Sequence, residues 1–156
     1  MRVKTDFITN SSSSSFLVVF DKKPESVEEL KEVLFGERQE FHYPYGDEYW
    51  STESVAERIL SETYEARKKD IIEFFSGRNF DGLYERCRLP NGQLDWDYME
   101  SETLRLAKEE MRWFLDTYKG KYFSLYSFSD NDGKFDCALE HGDVFRNVPN
   151  IQNSQH

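Results

Sequence analysis

The sequence predicts an α+β domain in which a small, mainly antiparallel sheet packs against about three helices. The run SFLVVF, Ser15 to Phe20, is continuously apolar and rich in β-formers, as is typical of a strand buried on both faces. Three other segments place apolar residues at helical spacing. Two strand-like runs flank the turn sequence DNDG and predict a C-terminal hairpin. We expect the N-terminal strand beside this hairpin, because an isolated hairpin is only marginally stable.

Capping residues and glycines delimit the three predicted helices. Ser26 and Glu29 have the spacing of a capping box at the start of the first helix, and Gly36 is a suitable end. The second helix is predicted over residues 51–77, where the charged sequence RKKD marks a bend or an exposed end. The third is predicted over residues 97–120.

The C-terminal hairpin is predicted from residues 122–129 and 135–141. In its second strand, one set of alternate residues faces the core, namely Phe135, Cys137, Leu139 and His141. His141 therefore lies at the end of the core-facing row. The polar tail that follows, RNVPNIQNSQH, is expected to be a loop.

Composition limits the domain count and the class of partner. The 156 residues carry no linker or internal repeat, which predicts a single domain over residues 1–156. A net charge of -10 disfavours generic nucleic-acid binding and binding to anionic membranes. No run approaches the roughly 20 apolar residues of a transmembrane helix. The two cysteines form no C-x-x-C pair and no secretory signal is seen, so we expect a cytoplasmic protein.

Five consecutive serines precede the apolar strand, and two interpretations of them are open. In the first, Asn10 and the first serines close a tight turn between the segments RVKTDFI and FLVVF. In the second, hydroxyl and backbone N–H groups form a cleft for an anion or a small polar ligand. Serine modification is a further alternative. The predicted ligand-binding residues are Asn10, Ser11, Ser12, Ser13, Ser14 and Ser15.

The stretch DFITNSSSSSFLVV resembles the opening of a widespread set of bacterial and phage proteins. Those proteins begin with a short charged stretch, followed by a Phe-hydrophobe-Ser/Thr-Asn signature, five serines and Phe. The match runs from about Phe7 to Val18, and the C-terminal sequence SDNDG…EHGDVF…SQH also resembles the endings of some members. The resemblance implies a phage or mobile-element setting and no particular chemistry.

A polar cluster near the C-terminal end supplies candidate catalytic and metal-binding side chains. Carboxylates and imidazoles bind hard and borderline divalent metals. The catalytic candidates are His141, Glu140 and Asp143, and the candidate metal ligands are His141, Asp143 and His156. No cofactor is expected beyond such a divalent metal. The predicted hairpin places Asp130 and Asp132 at the opposite end from His141, which disfavours a single site containing all of them.

The sequence supports three functional hypotheses. The first is a non-catalytic protein that binds a host protein or a small polar or anionic ligand, through its acidic surface, the serine cleft or the aromatic loop FHYPYGDEYW. The second is a metal-dependent or acid/base hydrolase or transferase acting on a phosphorylated small molecule. It requires the serines and His141 to lie within roughly 12 Å of each other, because catalytic groups need hydrogen-bond reach. The third is an assembly component of a phage or a similar particle.

Overall fold

The structure, a computed structural model, describes residues 12–155. It confirms an α+β fold with a small antiparallel sheet. The strands of the protein are β1 (Ser13–Phe20), β2 (Glu40–His42), β3 (Tyr49–Ser51), β4 (Tyr122–Ser129) and β5 (Asn150–Gln155). Strands β1, β4 and β5 form the sheet, and β2 and β3 form a separate pair. Its α-helices are α1 (Val27–Phe35), α2 (Thr52–Glu62), α3 (Lys68–Ser76), α4 (Leu83–Arg86), α5 (Trp96–Thr117) and α6 (Lys134–His141). A short 3₁₀ helix, Asp130–Asp132, connects β4 to α6.

The chain forms two compact units. The first unit combines the described residues up to Ala66 with the segment that starts at Lys121, and the second is Arg67–Gly120. The prediction of a single domain over residues 1–156 stays a prediction. No helix within residues 12–155 has both the length and the apolar character needed to cross a bilayer.

Strand β1 is the centre of the sheet in the first unit. The strand order is β4-β1-β5, and β1 pairs antiparallel with both neighbours. Phe16 to Phe20 are all buried, so the predicted burial on both faces is confirmed. The strand begins at Ser13, two residues before the predicted start at Ser15. Ser13 to Ser15 therefore belong to the strand, whereas Asn10 and Ser11 lie outside the described residues, so a turn through Asn10 and the first serines stays a prediction.

The serines fit into the sheet because its neighbouring strands present hydroxyl groups opposite them. Ser15 Oγ lies 2.9 Å from Ser127 Oγ on β4, and Ser14 Oγ lies 3.1 Å from Ser154 Oγ on β5. Ser13 is in register with Ser129. Hydroxyl pairs of this kind stabilise neighbouring strands. Ser13 to Ser15 are therefore integral to the strand.

One face of β1 forms the floor of the main core. Side chains alternate along a strand, so Phe16, Val18 and Phe20 share this face with Ser14. Apolar side chains from α1, α2 and α6 complete the same cluster, including Leu30, Leu34, Val55, Ala56, Ile59, Ala138 and Leu139. This packing holds α6 above the serine end of β1.

The predicted C-terminal hairpin is wrong, since residues 134–141 form α6 and not a strand. The sequence KFDCALEH fits the two-residue period of a strand and also the period of a helix, because Phe135, Ala138 and Leu139 have the helical i, i+3, i+4 spacing. The third strand is β5, which lies in the polar tail expected to be a loop. Its backbone pairs with β1, and a polar edge strand carries little of the usual β-propensity signal.

The first and third predicted helices are confirmed with changed bounds, whereas the single helix predicted over residues 51–77 is wrong. Ser26 caps α1 by accepting a hydrogen bond from the Glu29 N–H at 3.1 Å. The second predicted helix consists of α2 and α3, and the chain between them is not helical. There the Ala66 N–H donates to the Phe123 carbonyl of β4 at 2.8 Å. The aromatic loop contains a small hairpin of β2 and β3.

The second unit is helical and has its own buried residues. The Phe75 ring on α3 packs against the Phe114 ring on α5, with centroids 5.8 Å apart. Ile71, Leu83 and Cys87 are also buried.

Because Tyr126 is buried, the first unit loses stability at alkaline pH. Its hydroxyl lies 2.6 Å from Thr63 Oγ1, its ring stacks on Phe145, and only 2% of the residue is exposed. Burial raises the pKa of Tyr126 to about 12. The unfolded chain therefore releases this proton near pH 10, before the folded chain does. The stabilising effect is complete below pH 10 and is lost as the pH rises through 12.

We expect the free energy of unfolding to fall by about 2 to 3 kcal/mol between pH 10 and pH 12 through Tyr126. Urea unfolding across this range should show the fall in the wild type, and Tyr126→Phe should reduce its slope. The variant will be less stable at neutral pH because it loses the hydrogen bond to Thr63, so only the pH dependence is compared. Equal slopes in the two proteins would contradict the assignment.

Candidate functional site

A polar cluster lies where β1 begins, between the 3₁₀ helix and the C-terminal end of α6. Ser12 directly precedes β1 and lies on the same face as Ser14. Its backbone N–H donates to Asp130 Oδ1 at 2.9 Å, and the Asp130 N–H donates to the Ser12 carbonyl at 3.2 Å. Helix α6 brings Glu140 and His141 to the same point. We call Ser12, Asp130, Glu140 and His141 the Ser12 cluster.

The Ser12 hydroxyl is at the centre of this cluster. Its Oγ lies 3.0 Å from Asp130 Oδ2, 3.1 Å from Glu140 Oε1 and 3.2 Å from His141 Nε2. One ligand atom from each of Asp130, Glu140 and His141 lies within 4.8 Å of the others. A hydroxyl has a single hydrogen to donate. Asp130 Oδ2 and Glu140 Oε1 therefore compete for the one hydrogen of this hydroxyl.

Glu140 is the most deeply buried member of the cluster. Its side chain is 0% exposed, and its second oxygen accepts from Ser14 Oγ at 3.3 Å. Ser14 Oγ also accepts from Gln152 Nε2 at 3.1 Å. A buried carboxylate is costly unless hydrogen bonds or a cation compensate its charge. The serines of β1 supply part of that compensation.

His141 connects the cluster to the surface. Its side chain is 22% exposed, and its Nε2 lies 3.3 Å from Glu140 Oε1. The Tyr45 ring, on the loop between β2 and β3, meets the imidazole edge-on with centroids 5.4 Å apart. Tyr45 is itself 65% exposed, so the imidazole lies beside a solvent-facing ring. Phe41 of the same aromatic loop is fully buried and belongs to the core.

Ser12, His141 and Glu140 do not form a Ser-His-acid catalytic triad. In a triad, the nucleophile and the acid hydrogen-bond to opposite nitrogens of the imidazole. Here Ser12 Oγ and Glu140 Oε1 both lie next to Nε2, at 3.2 and 3.3 Å. The cluster instead directs oxygen and nitrogen atoms at one small volume, as the ligands of a cation do.

The predicted proximity of the serines to His141 is present in the structure, through Ser12. Ser13 and Ser15 alternate to the opposite face of β1 from Ser12 and Ser14, away from the cluster. Asn10, Ser11 and His156 lie outside the described residues. Their assignments as ligand or metal residues stay predictions.

Asp143 is not in the Ser12 cluster. Its carboxylate forms ion pairs with Arg38 at 3.2 Å and with Arg146 at 3.1 Å. It lies just beyond the glycine that ends α6, Gly142, where an added Cβ would lie 2.7 Å from the Phe41 ring. Gly142 therefore packs too closely on Phe41 to accept a side chain.

The predicted separation of Asp130 from His141 is wrong. Seven residue steps along a strand would carry His141 roughly 23 Å from the turn, at about 3.3 Å per residue. The same seven steps from Lys134 in a helix rise only about 10 Å. Because α6 is a helix, its last turn reaches Asp130. A helix over KFDCALEH thus places His141 near Asp130, which a strand over the same residues does not.

Tyr45 belongs to the aromatic loop that the sequence offers as a binding surface, but its contact with His141 was not predicted. The aromatic loop is separated from His141 by almost a hundred positions, and no spacing pattern connects them.

Comparisons with protein-family models, with curated proteins and with solved structures gave no match for this chain. The candidate site is therefore defined by its geometry alone.

Proposed function

We propose that this chain is a binding protein whose Ser12 cluster binds a divalent cation. The observation that carries the proposal is the convergence of Asp130, Glu140 and His141 on the single hydroxyl of Ser12. A cation at this point would satisfy acceptor atoms that one hydrogen cannot. The binding function, the cytoplasmic setting and the phage or mobile-element origin expected from the sequence remain part of this proposal.

The donor set favours a borderline divalent ion. Two carboxylates and one imidazole are ligands for Zn²⁺, Mn²⁺ or Fe²⁺, whereas Ca²⁺ and Mg²⁺ prefer oxygen alone. The two carboxylates also repel an anion placed directly against Ser12 and Ser14. An anionic ligand, or an acidic group of a host protein, would therefore bind here through the cation.

Asp130→Asn tests the proposal because it removes one charged ligand from a partly exposed position. We expect Zn²⁺ or Mn²⁺ to bind the wild-type protein in isothermal titration calorimetry. The variant should bind about 100-fold more weakly, a difference of about 2.7 kcal/mol. Asp132→Asn is the matched control, since it changes the same charge two residues away on the same 3₁₀ helix, outside the cluster. A wild type that binds neither ion, or equal affinities in the two variants, would overturn the proposal.

A metal-dependent hydrolase or transferase is the second candidate function. The partial exposure of His141 beside Tyr45 favours it, because a substrate could approach the cation from that side. In this case the cation would polarise a phosphoryl oxygen of the substrate. Turnover of p-nitrophenyl phosphate that requires Mn²⁺ or Zn²⁺ and is lost in Asp130→Asn would support it. Cation binding without turnover of this substrate would favour the binding protein.

A further inference from the structure

A groove on the second unit combines an apolar floor with a basic rim. It encloses about 770 Å³ between the start of α3 and the C-terminal half of α5. Half-buried Ile72, Met111 and Leu115 form the floor. The rim carries five cations and one carboxylate, namely Lys68, Lys69, Lys108, Arg112, Lys119 and Asp116.

The charge of this groove is opposite to that of the chain as a whole. The protein has 30 acidic and 20 basic residues, so its cations readily find carboxylate partners. Arg58, Arg105 and Lys134 are examples of paired cations. Within the described part of the chain, by contrast, none of the five rim cations forms an ion pair. The groove therefore concentrates positive charge, which Asp116 offsets only in part, beside apolar surface.

We propose that this groove binds an acidic amphipathic helix of a partner protein. The apolar floor fits the apolar stripe of such a helix, and the basic rim fits the acidic residues that flank the stripe. Met111 is suited to the floor because its flexible thioether adapts to different side chains. This site is independent of the cation site, since all its residues lie in Arg67–Gly120.

The spread of the cations distinguishes a helix from a smaller anion. From Lys108 to the end of α5 at Thr117 the rim extends about 14 Å, at a rise of 1.5 Å per residue, and Lys119 follows two residues later. Lys68 and Lys69 add charge on the α3 side. One phosphate or carboxylate group could contact only a fraction of these cations. A partner helix of about three turns has the matching length. The apolar floor and the net charge of -10 also disfavour a nucleic-acid backbone.

The probe is a fluorescein-labelled helical peptide of about 14 residues, with leucines at i, i+3, i+4 and i+7 and glutamates at the flanking positions. Binding to the full chain is measured by fluorescence anisotropy. We expect saturable binding that weakens as NaCl is raised from about 50 to about 300 mM. A peptide with lysine in place of each glutamate should not bind.

Lys108→Glu/Arg112→Glu should weaken binding of the peptide by at least about tenfold, because it reverses two rim charges. Lys69→Glu/Lys119→Glu is a second pair that tests the same rim if the first fails to fold. Lys23→Glu/Lys31→Glu is the matched control, since it makes the same change of charge in the first unit. Its affinity for the peptide should equal that of the wild type.

Three outcomes would overturn the proposal. The first is equal weakening in the control pair, which would indicate a general charge effect. The second is preferential binding of a single-stranded oligonucleotide or of phosphatidylglycerol vesicles over the peptide. The third is self-association of the wild type that the rim variants abolish, which would identify a second copy of this chain as the occupant. Saturable binding lost only in the rim variants would support it.

Discussion

Replacing Arg58 with methionine should lower the free energy of unfolding by about 3 to 5 kcal/mol, because the change leaves a buried carboxylate without its cation. Arg58 on α2 donates to both oxygens of Asp136 on α6, at 2.8 and 2.9 Å. Asp136 is only 8% exposed. The hydrogen bonds to Asp136 raise the pKa of Arg58 above its already high range, so the guanidinium stays charged.

The surroundings of Arg58 make lysine a poor substitute. Its guanidinium lies over the rings of Phe128 and Phe135, at 5.7 and 5.8 Å from their centroids. Lysine keeps the charge but loses the two-pronged contact and the planar stacking. We therefore expect Arg58→Lys to fall between the wild type and Arg58→Met in urea unfolding followed by circular dichroism.

The double variant Arg58→Met/Asp136→Leu separates the loss of packing from the unpaired charge. If the uncompensated carboxylate causes the effect, removing it as well should restore much of the lost stability. A double variant as unstable as Arg58→Met would show that packing of the arginine stem dominates. An Arg58→Met variant within about 1 kcal/mol of the wild type would contradict the prediction itself.

Local signals explain which parts of the fold could be predicted from the sequence. Ser26 and Glu29 lie three residues apart, and their contact depends only on that local spacing. The apolar run of β1 likewise needs no distant information to be recognised as a buried strand. By contrast, β5 is the polar sequence NIQNSQ, which forms a strand only because the edge of β1 is there to pair with it.

The candidate site could be predicted only in part, for a related reason. The sequence predicted that the serines and His141 are neighbours, and Ser12 lies 3.2 Å from His141. That prediction relied on a hairpin of residues 122–129 and 135–141, which the structure does not contain. Residues 134–141 fit the periods of a strand and of a helix, and burial of Ala138 and Leu139 in the core cluster favours the helix. Because residues 135–141 were predicted as a strand, Asp130 was expected to lie far from His141 and outside the site.

Glu140→Met should reverse the order of stability between variant and wild type when a cation is added. Without metal, the wild type bears the cost of burying a carboxylate, and a methionine of similar size removes that cost. The serines keep other partners in the variant, since Ser12 still contacts Asp130 and Ser14 still contacts Ser154. We expect the metal-free variant to be more stable than the metal-free wild type by about 1 to 2 kcal/mol.

With Zn²⁺ or Mn²⁺ at about 100 times its dissociation constant, the wild type should gain about 2.7 kcal/mol and the variant nothing. Urea unfolding with the ion and with a chelator measures both differences. Glu57→Met is the matched control, because Glu57 is exposed on α2 and should leave the gain from the ion unchanged. A variant that the ion still stabilises would exclude Glu140 as a ligand. A metal-free variant less stable than the wild type would instead show that Glu140 supports the fold through its hydrogen bonds to Ser12 and Ser14.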